Sequence, residues 1–190
     1  MSGFDLEQQF LRWRAIGWLL IGRREAARAT FDEMLRRRPG DAYALASRSH
    51  LLAELGRRDE AIADAQRLTA LHPARSAADW FNLAFLLEQA GRYDEAEAAF
   101  RRALALDAKL DRAWYGLGLV LIRQGRLDEA VDALKRNTEL QPMSPYGWYH
   151  LARVQVDRHE PEEARRIIRR LKDFEPKVAA QLERETGLTP

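Results

Sequence analysis

The sequence contains no cysteine, which excludes a disulfide framework, a thiolate zinc site and a cysteine nucleophile together. Lysine is scarce, standing only at Lys109, Lys135, Lys172 and Lys177, so the 31 basic residues are almost all arginine. Against 29 acidic residues they leave a net charge of +2, which is a small excess rather than a basic field. Long apolar runs are absent as well. The longest, Ala15 to Gly22, falls far short of the roughly 20 residues that cross a bilayer. The opening MSGFDLEQQF has no basic stretch and sets Asp5 and Glu7 where the apolar core of an export signal would begin, so no membrane contact and a cytoplasmic location are expected.

Chemistry-bearing constellations are missing too. His50, His72, His150 and His159 show no ligand spacing. Ser2, Ser47, Ser49, Ser76 and Ser144 occupy no nucleophile-elbow context. Gly116-x-Gly118 is followed by Leu121 where a dinucleotide fingerprint needs its third glycine. The expectation is a non-enzyme with no catalytic residue, no metal and no cofactor.

What is present is a period. Segment tails at Pro39, Pro73, Ala108, Pro142 and Pro176 are spaced by 34, 35, 34 and 34 residues. Within each period the same types return: Trp80, Trp114 and Trp148; Leu83, Leu117 and Leu151; Gly56, Gly91 and Gly125; Ala61, Ala96, Ala130 and Ala164. A fixed period of this size marks stacked supersecondary units, each unable to bury its apolar face alone. Over Asp111 to Arg123, the residues Trp114, Leu117, Gly118 and Leu121 make one helical stripe. Gly125 ends that helix in a left-handed turn, the acids Asp128 and Glu129 open the next at its positive end, and Pro142 closes the unit. The expectation is nine helices: four antiparallel pairs over units of about 5–41, 42–76, 77–110 and 111–144, and a closing helix in 177–190. A further unit at 145–176 makes the first one partly an N-terminal cap. The additional residue of the 42–76 unit is placed in its closing loop, around Ala74 to Ser76.

The repeating Trp114-x₂-Leu117-Gly118-x₂-Leu121, followed by Ala130-x₃-Leu134 and Pro142, resembles the tetratricopeptide repeat; so does Trp80-x₂-Leu83-Ala84-x₂-Leu87 with Ala96-x₃-Phe100. The likeness covers roughly Trp13 to Pro176. It implies an all-α fold, a right-handed superhelical α-solenoid of antiparallel helix pairs whose first helices line a concave groove. Two departures stand out. The unit at 42–76 has Leu45, Arg48 and Ser49 where the others have Trp, Leu and Ala or Gly. The first unit has two registers. Trp13, Ile16, Gly17 and Leu20 match the stripe and are favoured, with a shortened turn, because Gly22 then follows two residues early. Counting back from Phe31 and Pro39 turns Trp18 inward instead.

The periodic tryptophans read as core. Phe81, Tyr115 and Tyr149 follow them directly and so turn toward the groove. One helical turn on, the groove slot holds Phe85, Leu119 and Arg153. With Asn82, Arg112 and His150 as polar orienting groups, these nine residues are the expected peptide-binding groove: Phe, Tyr and Leu supply apolar anchors for a peptide or amphipathic helix. The carboxylate clamp known in some tetratricopeptide co-chaperones does not fit, since only Asn82 and Arg112 match its slots. Too many apolar residues crowd the N-terminal helix for one stripe, so Leu11, Trp18 and Leu19 are expected to make a homodimer contact. The leading functional reading is a protein–protein scaffold, adaptor or assembly chaperone. A nucleic-acid-associated regulator is the alternative, disfavoured because the arginines sit beside acids. A self-associating structural module is the third.

Overall fold

The computed structural model describes residues 3–189, with side chains from residue 6 onward. Among the described residues there are eleven helices and no strand. The chain divides into two compact units, the first ending at Ala90 and the second beginning at Gly91.

The first unit contains α1 (Gly3–Leu20), α2 (Arg24–Arg37), α3 (Ala42–Glu54), α4 (Arg58–Leu71) and α5 (Ala77–Gln89). Each packs against the next in chain order. Tight turns after α1 and α3 are made by Gly22 and Gly56 at φ of +73° and +76°, a left-handed conformation that glycine adopts without steric cost. Longer connections precede α3 and α5, where Asp41 and Ser76 cap the new helix by accepting from the backbone N–H of Ala44 at 2.9 Å and of Ala78 at 3.0 Å. α3 and α5 each have 13 residues and α2 and α4 each have 14. The additional residue of the period therefore falls in the connection 72–76, where it shifts no buried stripe.

The favoured register of α1 is wrong, and the one counted back from Phe31 and Pro39 holds. Leu11 and Ala15 are buried with Ala27, Phe31 and Met34, and Trp18 packs half-buried against them. Trp13 is 72 % exposed. The reason is Gly22. It stands in the same left-handed turn as Gly56, so the helix before it must present the face that lies a fixed number of residues upstream. No shortened turn is needed, and α1 and α2 complete a full helix pair rather than a cap.

The second unit contains α6 (Tyr93–Leu106), α7 (Asp111–Arg123), α8 (Leu127–Leu140), α9 (Pro145–Asp157), α10 (Pro161–Phe174) and α11 (Pro176–Thr186). Again each packs on the next; α9 also touches α7 and α11. Close approach depends on three glycines, Gly116, Gly118 and Gly147, the last of which leaves no room for a Cβ beside Asn137. A Cβ on Gly116 would lie 2.3 Å from the Phe100 ring, and one on Gly118 would lie 2.8 Å from Leu134 Cγ. α11 starts one residue after α10 ends, buries Ala179 and Leu182, and is stopped by left-handed Gly187. Nine helices were expected and eleven are present among the described residues. The segments 5–41 and 145–176 both carry the complete two-helix pattern, since each has its own apolar stripe and turn.

Half-burial corrects the reading of the periodic tryptophans as core. Each indole N–H donates to a backbone carbonyl in the connection before its helix: Trp80 to Pro73 at 2.8 Å, Trp114 to Ala108 at 2.9 Å, Trp148 to Pro142 at 3.0 Å. The acceptors are the tail residues of the period. Tryptophan is thus kept at this slot as a pin between helix and preceding loop, its ring packed and its polar edge near water.

Candidate binding surfaces

In the first unit α5 presents Phe81, Asn82 and Phe85. The two phenyl rings lie one helical turn apart and stack, centroids 6.4 Å apart and planes 17° from parallel. Phe81 is half-buried and Asn82 exposed; Phe85 is 47 % exposed. Stacking keeps both rings in one orientation while leaving the outer one in water, an arrangement that covering by another apolar group would relieve. Beside Phe85 opens a cavity of about 340 Å³ between α3, α4 and α5. His50 stands at its edge, its Nε2 3.2 Å from Glu54.

In the second unit Tyr115 and Leu119 are half-buried on α7. His150 on α9 meets the rings of Tyr115 and Tyr149 edge-on, with centroids 5.7 and 5.2 Å away. Burial pushes the His150 imidazole below its ordinary pKa, and the charges of Arg153 and Arg123 add to this. Arg112 is exposed beside Tyr115, at a cleft of about 500 Å³ that Asn137 and Tyr146 also line. Asn137 is held there by its amide, which donates to the Asp111 carbonyl at 3.0 Å.

Tyr149 and Arg153 are engaged within the chain, which the sequence reading missed. The Tyr149 hydroxyl donates to Glu185 at 2.6 Å and the Arg153 guanidinium donates to the same oxygen at 2.8 Å. Gln181 donates to the other Glu185 oxygen at 2.7 Å. The Tyr149 bond holds the Glu185 carboxyl below the ordinary carboxylate range. α11 therefore claims two of the nine expected groove residues as its own docking contacts.

Of the residues expected to self-associate, Leu11 lies in the core, Trp18 packs against that core and Leu19 is 39 % exposed. Burial of Leu11 removes it from any surface. The exposed face of α1 instead carries Leu6, Phe10, Trp13 and Leu20, at 55, 62, 72 and 81 % exposure. The register counted back from Pro39 was the signal that pointed to this face.

The arginines have their own structural logic. Arg57, Arg92 and Arg126 stand at the N-caps of α4, α6 and α8. Each donates to the glutamate three residues on, Glu60, Glu95 and Glu129, at 2.6, 2.7 and 2.7 Å. The pair bridges the first turn of each helix, where no side chain accepts from the helix N–H groups. Among the described residues no group of three His, Asp or Glu is placed to hold a metal ion, and no helix is long and apolar enough to cross a membrane.

The tetratricopeptide repeat profile matches residues 21–76, 47–111 and 81–142, and a second profile of the same repeat matches residues 145–170. The chain belongs to the tetratricopeptide repeat family. No curated protein matches it in sequence. Among solved structures it is similar to MamA, with a TM-score of 0.84 at 18% identity over 96% of this chain and 97% of that one. It is similar to YrrB, described as a tetratricopeptide repeat protein with an unusual peptide-binding site, with a TM-score of 0.80 at 19% identity over 90% and 88% of the two chains. It also resembles pilF of Pseudomonas aeruginosa, with a TM-score of 0.70 at 21% identity over 97% and 92%. These are likenesses of fold: the all-helical solenoid is shared, and the side chains that face a ligand are not carried over at such identity.

Proposed function

We propose that this tetratricopeptide protein is a non-enzymatic, cytoplasmic scaffold, an adaptor or assembly chaperone, that holds an apolar peptide or helix of another protein. The observation that carries the reading is the stacked Phe81–Phe85 pair, with Phe85 about half in water on the exposed side of α5. Tyr115, Leu119 and His150 offer a second apolar and aromatic surface in the other unit. Asn82 and Arg112 supply polar groups that set a ligand's register. Tyr149 and Arg153 enter only if Glu185 yields them. Burying one such aromatic contributes on the order of 1.5–3 kcal/mol, or roughly 10- to 100-fold in affinity. The test is Phe85→Glu, read by thermal unfolding and by capture of peptides from a displayed random library. The expected result is an unchanged melting temperature with capture reduced at least tenfold. Equal capture by the variant ends this reading.

A second reading, self-association through α1, is favoured by its exposed stripe of Leu6, Phe10, Trp13 and Leu20. Nucleic-acid binding has little support, because Arg57, Arg92, Arg101 and Arg126 are all engaged by glutamates.

A further inference from the structure

The slot four residues after the periodic alanine of each second helix holds a large apolar side chain in four helices. Phe31, Phe100, Leu134 and Ile168 occupy it, all at 0 or 1 % exposure. In α4 the same slot is Ala65. Elsewhere the large side chain is met by a small neighbour, as Phe100 is by Gly116 and Leu134 by Gly118. Ala65 instead lines the cavity of about 340 Å³ bounded by α3, α4 and α5.

We infer that this cavity is an anchor pocket for one aromatic side chain presented by a bound segment, so that the partner supplies the ring that α4 lacks. The inference rests on the reading of the chain as a segment-binding scaffold and names the position its ligand must fill. Ala46, Ala53, Ala65, Leu68 and Leu86 give the walls their apolar character. Of the polar groups on its walls, Ser49 and Asp79 are already engaged, while His50, Glu54 and Arg58 are exposed to solvent. Ser49 donates its hydroxyl to the Ala61 carbonyl at 2.8 Å, and Asp79 is gripped by Arg75 through two bonds of 2.7 and 2.5 Å. Beside Ala65, Leu68 and Leu86 a charged head would be desolvated among apolar side chains. An apolar ring meets no such penalty. Size agrees, since an apolar cavity of about 150 Å³ already holds benzene. At the edge, Asn82 and Gln89 are exposed amides able to bond the backbone of the segment that carries the ring, and Phe85 covers its flank.

The probe is free indole, followed by amide and methyl NMR shifts on the full chain and by intermolecular NOEs. Saturable shifts confined to α3, α4 and α5, with NOEs to the Ala65 and Leu68 methyls, are expected. Ala65→Leu, which copies the residue of α8 into the slot, should weaken indole binding at least tenfold and raise the melting temperature. Absence of those NOEs in the wild-type protein overturns the pocket, and this readout needs no variant to fold. A folded Ala65→Leu protein that binds indole unchanged overturns it equally. Library peptides captured alike by wild type and Ala65→Leu, but lost with Phe85→Glu, remove the pocket and leave the scaffold reading standing. Peptides enriched in one aromatic position and lost in both variants support it.

Discussion

Arg48 occupies the slot at which α5, α7 and α9 carry Leu83, Leu117 and Leu151, and its presence there has a structural reason. Its guanidinium donates to both oxygens of buried Asp64, at 2.7 and 2.6 Å, and to Asp32 at 2.7 Å. Those carboxylates hold Arg48 well above the ordinary guanidinium range. Asp64 itself replaces the alanine found as Ala99 and Ala133 in α6 and α8. The two departures are one event, a charge pair exchanged for an apolar contact. Removing one partner leaves the other buried and unpaired, so Arg48→Leu is expected to cost about 2–3 kcal/mol in urea unfolding. The double variant Arg48→Leu with Asp64→Ala restores the repeat's usual pair and should recover most of that loss. At the same scale, His150 titrates. Its folded pKa lies below the ordinary 6.5 because its cationic form is desolvated, so the unfolded chain binds the proton first as pH falls. Stability is therefore full above pH 6.5 and declines below it, down to the lowered folded pKa. The drop in melting temperature between pH 7.5 and 5.5 should shrink in His150→Gln.

Helices of this chain are delimited by their turns, and one turn departs from the rest. Gly22, Gly56, Gly91 and Gly125 all hold the left-handed conformation, while the equivalent position before α10 is His159 at φ +60°. A side chain there crowds the following carbonyl, at a cost of about 1 kcal/mol. His159 is exposed, so little is lost by removing it. His159→Gly should raise stability toward unfolding by about 1 kcal/mol, checked by urea midpoint at constant slope. An unchanged midpoint would mean that the imidazole makes a compensating contact. Elements also differ in how they end. α11 follows α10 after a single residue and turns its apolar side, Ala179 and Leu182, onto the last pair, while Lys172 grips Glu183 at 2.6 Å. That contact, together with the Glu185 cluster, gives the last helix a specific seat instead of a purely apolar one.

For the molecule as a whole, the open question of assembly turns on α1. Leu6, Phe10, Trp13, Gly17 and Leu20 are spaced 4, 3, 4 and 3, the seam of a coiled coil. A Cβ on Gly17 would have nothing within 4 Å. In an antiparallel pairing of two copies, Trp13 of each lies over Gly17 of the other, the largest side chain against the smallest. Wild-type protein is expected to sediment as a dimer at micromolar concentration and Trp13→Glu as a monomer, with the monomer's helical content intact. A wild-type monomer at millimolar concentration would remove this reading.

Periodicity alone determined that the chain is a helical repeat, because a 3.6-residue stripe and a glycine-ended turn are local properties written into neighbouring residues. The closing helix before Gly187 and the place of the additional residue in 72–76 were legible for the same reason, whereas the ordinary turn at Gly22 was taken for a shortened one. The inward face of α1 was decided only in three dimensions, since two stripes compete on that helix and burial selects Leu11 and Ala15 over Trp13. Partners at long separation were equally out of reach. Arg48 finds Asp32 and Asp64 each 16 residues away. Glu185 reaches Tyr149 and Arg153 across 36 and 32 residues. Such pairs depend on which helix faces pack together, and the cavity that Ala65 lines is likewise formed by faces of three helices, α3, α4 and α5. Local pattern sets the elements; packing decides which side chains remain available to a ligand.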